Sequence, residues 1–248
     1  MDPVATLAID VGGTGLKAAV LDGTGALVQD RVRVPTPYPL APARLVDTLV
    51  ELVRPLPPFD RISVGFPGMV RAGHVLSAPH FVSPRGPGGK PTGALLRDWQ
   101  GYDLAAHISG VFDGRPTRVA NDADVQGAAV VTGHGLELVV TLGTGVGTAL
   151  FFDGRLLPHF EFAHHPLRKG RTYNEVLGDV ALKRQGRGRW QKRVVETIGV
   201  LRALTFFDHL YVGGGNAARL TGQLPADVTV VDNTAGLLGG IKLWDRVD

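Results

Sequence analysis

Asp10-Val11-Gly12-Gly13-Thr14-Gly15-Leu16-Lys17 is the stretch on which the fold turns. An apolar run, Val4 to Val11, leads into it, and a second, Leu16 to Leu21, leads out. The glycines therefore join two strands. A Walker loop and a dinucleotide fingerprint both need a helix directly after their glycines, so neither matches. Glycine lets backbone N–H groups approach phosphate oxygens and point at them together. Thr14 can add a hydroxyl donor, and Lys17 a point charge. Asp10, at a strand end, suits hydrated Mg²⁺, which keeps several waters and takes one or two carboxylates. Taken alone, a plain glycine-rich turn explains the stretch equally well.

Further along, Leu142-Gly143-Thr144-Gly145-Val146-Gly147-Thr148 repeats the arrangement between the runs Leu138 to Leu142 and Gly147 to Phe152. Two such loops in separate domains fit a cleft that grips a phosphate chain from both sides. No 20–50-residue sequence repeat accompanies them, so the duplication is one of structure. Ala26 to Val34 alternates like a third strand after the turn Gly23-Thr24-Gly25. Ala41 to Arg54 has the apolar spacing of a helix and stops at Pro55. Ile62 to Phe66 reads as a buried strand, and residues 77 to 100 as a long Pro/Gly-rich loop. Thr117 to Ala120 is a short strand, with a helix running from Asn121 to about Thr132. Tyr173 to Gln185 and Trp190 to Phe206 read as helices, and His209 to Val212 as a strand entering Gly213-Gly214-Gly215. A short helix, the strand Val228 to Val231 and a terminal helix, Ala235 to Leu243, follow. The pattern predicts two α/β domains, 1–116 and 117–248, with the last helix packing back on the first.

At 248 residues, 44% of them hydrophobic and 20% charged, the chain has ordinary globular composition. It has no cysteine, which excludes disulfides and thiolate metal sites. Asp10 interrupts the first apolar run too early for an export leader, and no apolar stretch approaches the roughly 20 residues of a membrane span. A cytoplasmic protein without a membrane partner is the expectation. The net charge of +3 hides an asymmetry. Arg168, Lys169, Arg171, Lys183, Arg184, Arg187, Arg189, Lys192 and Arg193 face only Glu175 and Asp179, giving that segment +7. The remaining 17 basic and 21 acidic residues give −4. Such a stripe suits a polyanion, with a solvated helix face as the plain alternative. No nucleic-acid module accompanies it, so nucleic acid is not the expected partner.

Asn121-Asp122-Ala123-Asp124 begins a helix, where Asn and Asp are also the usual caps. Asp122 is placed to take the proton of an attacking hydroxyl. Asp124 is the competing candidate, but it lies deeper in the first turn and reads as an ordinary surface acid. Glu161-Phe162-Ala163-His164-His165-Pro166 sets a carboxylate beside imidazoles, a set suited to sugar hydroxyls. A metal site is the rival there, and a capped turn with exposed histidines the plain reading. Phe66-Pro67-Gly68 is a rigid turn that can shape a pocket floor.

With these motifs in place, the chain resembles the ROK family (repressor, open reading frame, kinase) of sugar kinases. The likeness is strongest to its polyphosphate-dependent glucokinase and glucomannokinase branch. Asp10 to Lys17 looks like the first phosphate motif, Gly65 to Gly68 the sugar-site turn, and Leu142 to Gly147 the second phosphate loop. Asn121 to Asp124 matches the motif whose catalytic aspartate falls on Asp122. Glu161 with His164 fits the Glu-x-Gly-His sugar motif, and His165-Pro166 followed by Arg168-Lys169-Gly170 is like the polyphosphate branch. Tyr211 to Ala217 resembles the late glycine motif carrying Gly214 and Gly215. Ala163 stands where the family has glycine, His80 where it offers asparagine, and Gly127-Ala128-Ala129-Val130 where an acid is often found.

The resemblance implies a two-domain actin-like (ribonuclease H-like) fold with an interdomain cleft, and transfer of a phosphoryl group from polyphosphate or ATP to the 6-hydroxyl of a hexose. It gives Asp122 as base and Asn121, Glu161, His164, Gly68 and His80 as sugar ligands. Asp10, Gly12, Gly13, Thr14, Lys17, Gly143, Thr144, Gly145, Gly214 and Gly215 hold the donor, with Mg²⁺ at Asp10. It further implies a homodimer without the structural zinc of other members. No helix-turn-helix segment is expected, which sets the DNA-binding repressors aside. An ATP-dependent hexokinase and a catalytically weak sugar-binding regulator stay open as alternatives.

Overall fold

A computed structural model describes residues 4–231 and 235–244. The chain divides into two compact units, residues 1–129 with 236–248, and residues 130–235. The first opens with β1 (Thr6–Val11), β2 (Gly15–Leu21) and β3 (Val32–Pro35), then α1 (Pro42–Val53) and β4 (Arg61–Phe66). It continues through β5 (Val70–Arg71), β6 (His74–Val75), α2 (Gly93–Trp99), β7 (Tyr102–Asp103), α3 (Leu104–Val111), β8 (Thr117–Asn121) and α4 (Asp122–Ala128). The second holds β9 (Leu136–Leu142), β10 (Val146–Phe152), β11 (Arg155–Leu156), β12 (Pro166–Arg168) and β13 (Arg171–Thr172). Then come α5 (Tyr173–Leu177), α6 (Asp179–Gln185), α7 (Arg187–Thr205), β14 (His209–Gly213) and β15 (Val228–Val230). The last element, α8 (Ala235–Lys242), falls mostly in the first unit.

Each unit is built on a five-stranded sheet, ordered β3-β2-β1-β4-β8 in the first and β11-β10-β9-β14-β15 in the second. In both, the first three strands form an antiparallel meander, the fourth pairs in parallel with the first, and the fifth in parallel with the fourth. The glycine hairpin lies between the first two strands each time. One connectivity used twice is the duplication that the two loops foreshadow. Apolar burial follows the pattern: β1 and β2 bury Leu7, Ile9, Val11, Leu16, Ala18 and Val20 against Leu45, Leu49 and Leu52 of α1. In the second unit Leu138, Val140 and Leu142 pack with Trp190, Val194 and Ile198 of α7.

Several expectations shift. The division falls after Ala129, not at residue 116, because β8 pairs with β4 inside the first sheet and carries α4 with it. The third strand begins at Val32 rather than Ala26. The Asp22 carboxylate accepts from the amides of Thr24 and Ala26 and from the Thr24 hydroxyl, which curls the chain, and Leu27 and Val28 stay exposed. The stretch expected to be irregular as far as residue 100 ends in α2, whose Leu95 and Trp99 are buried. Trp99 donates through Nε1 to the Leu40 carbonyl at 2.9 Å. The helix expected from Tyr173 to Gln185 is two, parted at Gly178. A Cβ at Gly178 would stand 2.6 Å from the Thr144 carbonyl oxygen, so the break lets the chain pass close behind the second glycine loop.

Candidate functional site

The candidate residues fall into two sets, one in each unit. In the first, the hairpin closes with Gly12 N–H donating to the Gly15 carbonyl at 3.1 Å. Two hydroxyls then take the loop carbonyls from behind: Thr36 Oγ1 donates to Gly12 O at 2.6 Å, and Tyr38 Oη to Gly13 O at 2.8 Å. The Gly13 and Thr14 amides donate to no acceptor among the described residues. Carbonyls held back and amides left open make the concave donor set that anions occupy.

Asp10 and Lys17 are cross-strand partners on β1 and β2, and their side chains meet, Nζ to Oδ2, at 2.8 Å. The two residues expected to serve metal and phosphate separately thus form one ion pair, each about a third exposed. Among the described residues no group of three or more His, Cys, Asp or Glu gathers in metal-binding fashion. A single partly exposed carboxylate beside open amides fits a hydrated Mg²⁺ held jointly with phosphate oxygens, not a closed protein cage.

The register aligns this loop with the candidate base. Asp10 pairs with Gly65, and Gly65 with Ala120, across the parallel strands β1, β4 and β8. The chain leaves β8 at Asn121, so Asp122 emerges at the same sheet edge as the glycine hairpin, two strand spacings or about 10 Å away. Asn121 is buried and caps α4, its Oδ1 accepting from Ala123 N–H at 2.8 Å. Its Nδ2 donates to Gly68 O at 3.0 Å, which fixes the Phe66-Pro67-Gly68 turn to the same edge. The Asp122 Oδ1 accepts from Ala123 N–H at 2.9 Å, so its carboxylate is oriented by the first turn of the helix. Asp124, expected at the surface, is 3% exposed because the first turn of α4 rotates it into the interior. His80 lies beside the glycine loop, its Cγ 3.6 Å from where a Gly13 Cβ would stand.

In the second unit Gly143 N–H donates to Gly145 O at 2.9 Å, closing the second hairpin. Asn216 Nδ2 and Asp179 N–H both donate to Gly143 O, at 3.1 and 3.0 Å. Asn174 Oδ1 accepts from Val146 N–H at 2.9 Å. Asn216 N–H also donates to Leu142 O, which seats Gly214 against Leu142 at the loop's start, and a Cβ at Gly214 would stand 2.5 Å from that carbonyl oxygen. Thr144 and Gly145 amides, like those of Gly13 and Thr14, find no acceptor among the described residues. Asn174, Asn216, Thr36 and Tyr38 are thus the loop-holding residues that motif reasoning missed. Asn216 stands inside a quoted motif, and its two-way hydrogen bonding was the available signal; the others carry none in local sequence.

Glu161 and His164 flank one 3₁₀ turn, with His164 N–H donating to Glu161 O at 3.1 Å. His159 Nε2 lies 3.6 Å from Glu161 Oε1. His164 is exposed, whereas Ala163 turns its methyl into the second core. Tyr173 N–H donates to His165 O at 3.1 Å, so α5, which carries Asn174, touches both this turn and the glycine loop. The basic stripe lies on the β12–β13 hairpin, the end of α6 and the start of α7. Lys183 is paired with Asp179 at 2.6 Å, Arg193 with Glu196 at 2.5 Å, and Arg187 donates to the Arg219 carbonyl. Arg168, Lys169, Arg171, Arg184, Arg189 and Lys192 are exposed and have no ion-pair partner among the described residues. Tyr173 and Trp190, which the stripe encloses, are fully buried core residues.

Two duplicated sheets, each with a pinned glycine hairpin between its first strands, define the two-domain actin-like, ribonuclease H-like class. The ROK family model matches residues 6–158, and the chain belongs to the ROK family. It is 29% identical over 248 residues to the polyphosphate glucokinase of Mycobacterium tuberculosis, covering 93% of this chain and 88% of that one. The inorganic polyphosphate/ATP-glucomannokinase of Arthrobacter sp. strain KM superposes with a TM-score of 0.78 at 27% identity, covering 99% of this chain and 100% of that one. A ROK family transcriptional regulator, homologous to the Escherichia coli MLC protein, reaches 0.74 at 16% identity, covering 97% of this chain and 77% of that one. At that identity the likeness is one of fold alone. No described helix is long and apolar enough to cross a membrane.

Proposed function

We propose that this chain is a sugar kinase that transfers the terminal phosphoryl group of inorganic polyphosphate or ATP to the 6-hydroxyl of glucose, and also of mannose. The observation that carries the reading is the register of the first sheet, which brings Asp122 and the open amides of Gly13 and Thr14 to one edge. The sugar oxygen attacks the terminal phosphorus while Asp122 takes its proton, and the bridging P–O bond breaks toward the shortened donor. Gly12, Gly13, Thr14 and Lys17 bind donor phosphates, as do Gly143, Thr144, Gly145, Gly214 and Gly215. Asn121, Gly68, His80, Glu161 and His164 bind the sugar. Asp10 would hold Mg²⁺, which supplies charge neutralisation on the donor. The family resemblance supports a homodimer acting in the cytoplasm.

Polyphosphate is the preferred donor in this reading, supported by the cations of the stripe that lack acidic partners and by the likeness to a polyphosphate glucokinase. ATP preference is the second reading, favoured by the commitment of Lys183, Arg187 and Arg193 to partners within the chain. Purified protein with glucose and Mg²⁺, given each donor in a separate tube, decides between them by direct detection of glucose 6-phosphate. Product from polyphosphate supports the first reading, and product from ATP alone the second. No product from glucose or mannose with either donor overturns the kinase.

A further inference from the structure

The segment from Ser77 to Thr92 carries His80 and passes directly over the first glycine loop. A Cβ at Gly13 would stand 2.7 Å from Pro87 Cγ, and a Cβ at Gly86 would stand 2.8 Å from the Tyr38 ring. The Gly86-Pro87 step therefore packs against both the loop and the phenol. Phe81 of the same segment lies 6.4 Å from the Tyr38 ring, centroid to centroid. At the centre is the Tyr38 hydroxyl, 2.8 Å from the Gly13 carbonyl oxygen and 3.2 Å from that of His80. One phenolic proton is shared between the backbone of the donor-side loop and the backbone of the acceptor-side segment. The Thr36 hydroxyl, two residues earlier, donates among the described residues to Gly12 O alone.

We propose that Tyr38 is a positioning residue that sets the register between the donor-phosphate loop and the segment carrying His80. Holding both carbonyls from behind, it fixes where the Gly13 and Thr14 amides and the His80 side chain stand relative to one another. Phosphoryl transfer is sensitive to such register, because a misplacement of about 1 Å costs on the order of 10²-fold in rate. The phenol suits the task. Burial pushes its pKa up to about 12, so it stays a protonated donor at any pH at which the protein works. The inference rests on the kinase reading for its kinetic consequences and on the geometry alone for its structural one.

Two single-group variants separate the roles. Tyr38→Phe removes only the shared hydroxyl and should raise the KM for donor and for glucose together, each about threefold to tenfold, the worth of one net hydrogen bond. Thr36→Val should raise the donor KM alone. Loss of folded protein lowers kcat without moving either KM, so the split distinguishes positioning from simple destabilisation. Hydrogen exchange on the substrate-free protein gives the second readout. In Tyr38→Phe, peptides spanning 12–14 and 77–92 should both exchange faster, with the remainder unchanged. A Tyr38→Phe variant that shifts one KM or neither, or leaves both peptides protected, overturns the proposal. If the parent protein makes no product at all, the kinase reading fails and the exchange measurement alone decides the tether.

Discussion

Asp122 carries the chemistry only if its charge, not its shape, matters. Its Oδ1 accepts from the Ala123 amide, a bond that an asparagine oxygen can make in its place. Asp122→Asn should therefore keep the first turn of α4 and glucose binding, within about twofold by calorimetry, while kcat falls roughly 10²–10⁴-fold. A variant that turns over at near the parent rate would remove Asp122 from the mechanism. Glu137 illustrates the other fate of a buried acid. It is fully buried at the start of β9, and its two oxygens accept from the amides of Thr132, Gly133 and His134 and from the hydroxyls of Thr132 and Tyr211. Burial opposes its ionisation, yet those donors outweigh it and hold the carboxyl below the ordinary glutamate range. Its stabilisation is full above the unfolded-state pKa and is lost as pH falls through the depressed folded value. Glu137→Gln, which turns an NH₂ toward those donors, should cost about 1–3 kcal/mol at neutral pH. Thermal melts should show the gap to the parent narrowing below about pH 4.5; a gap constant down to pH 3 would refute that account. The place of Asp122 at the start of α4 was legible in the sequence because Asn121 before it is a capping residue. Glu137, Tyr38 and Asn174 were not, because partners of theirs come from elsewhere in the chain and no motif surrounds them.

Elements with a full turn of periodic burial, such as α1, or a continuous apolar run, such as β1, β4 and β9, are where sequence and structure agree. Two-residue strands like β5, β6 and β7 carry no period at all, and α3, capped by the Asp103 side chain on Ala106 N–H, sits among residues too mixed to declare a face. The terminal helix was legible, but the reason for its glycines was not. At Gly239 a Cβ would collide with the Val125 carbonyl oxygen of α4, so α8 crosses there with backbone against backbone. Beyond it, Ser63 Oγ donates to Gly240 O at 2.6 Å and accepts from Trp244 Nε1 at 2.8 Å. The Trp244 ring lies beneath the guanidinium groups of Arg61 and Arg118, at 5.0 and 4.7 Å. Gly239→Ala should therefore destabilise the first unit by about 1–3 kcal/mol through overpacking, although alanine is the better helix former. A melt unchanged or raised by that substitution would mean that α8 is not seated as described.

At the scale of the whole chain the feature that composition exposes and connectivity does not is charge. The two sheets share one topology, but the segment 168–193 of the second unit carries +7 against −4 elsewhere. Intrachain partners engage part of that charge, leaving Arg168, Lys169, Arg171, Arg184, Arg189 and Lys192 as the exposed cations for a polyanion. A flexible polyphosphate that displaces counterions from such groups obeys the single-strand relation, in which affinity falls with salt by about 0.7 logarithmic units per contact. Six contacts set an upper bound of about 4 for the log–log slope. ATP, held at the glycine loops through a few phosphates, should respond far less over the same range. Measuring both KM values across salt therefore tests the stripe independently of the absolute rates. A triple variant, Arg184→Glu, Arg189→Glu and Lys192→Glu, extends the test. It should raise the polyphosphate KM and flatten its salt slope by about 2, while the ATP and glucose KM values stay close to the parent's. Equal slopes for the two donors, or a triple variant that uses polyphosphate as the parent does, would reduce the stripe to a solvated surface and leave donor choice to the loops alone.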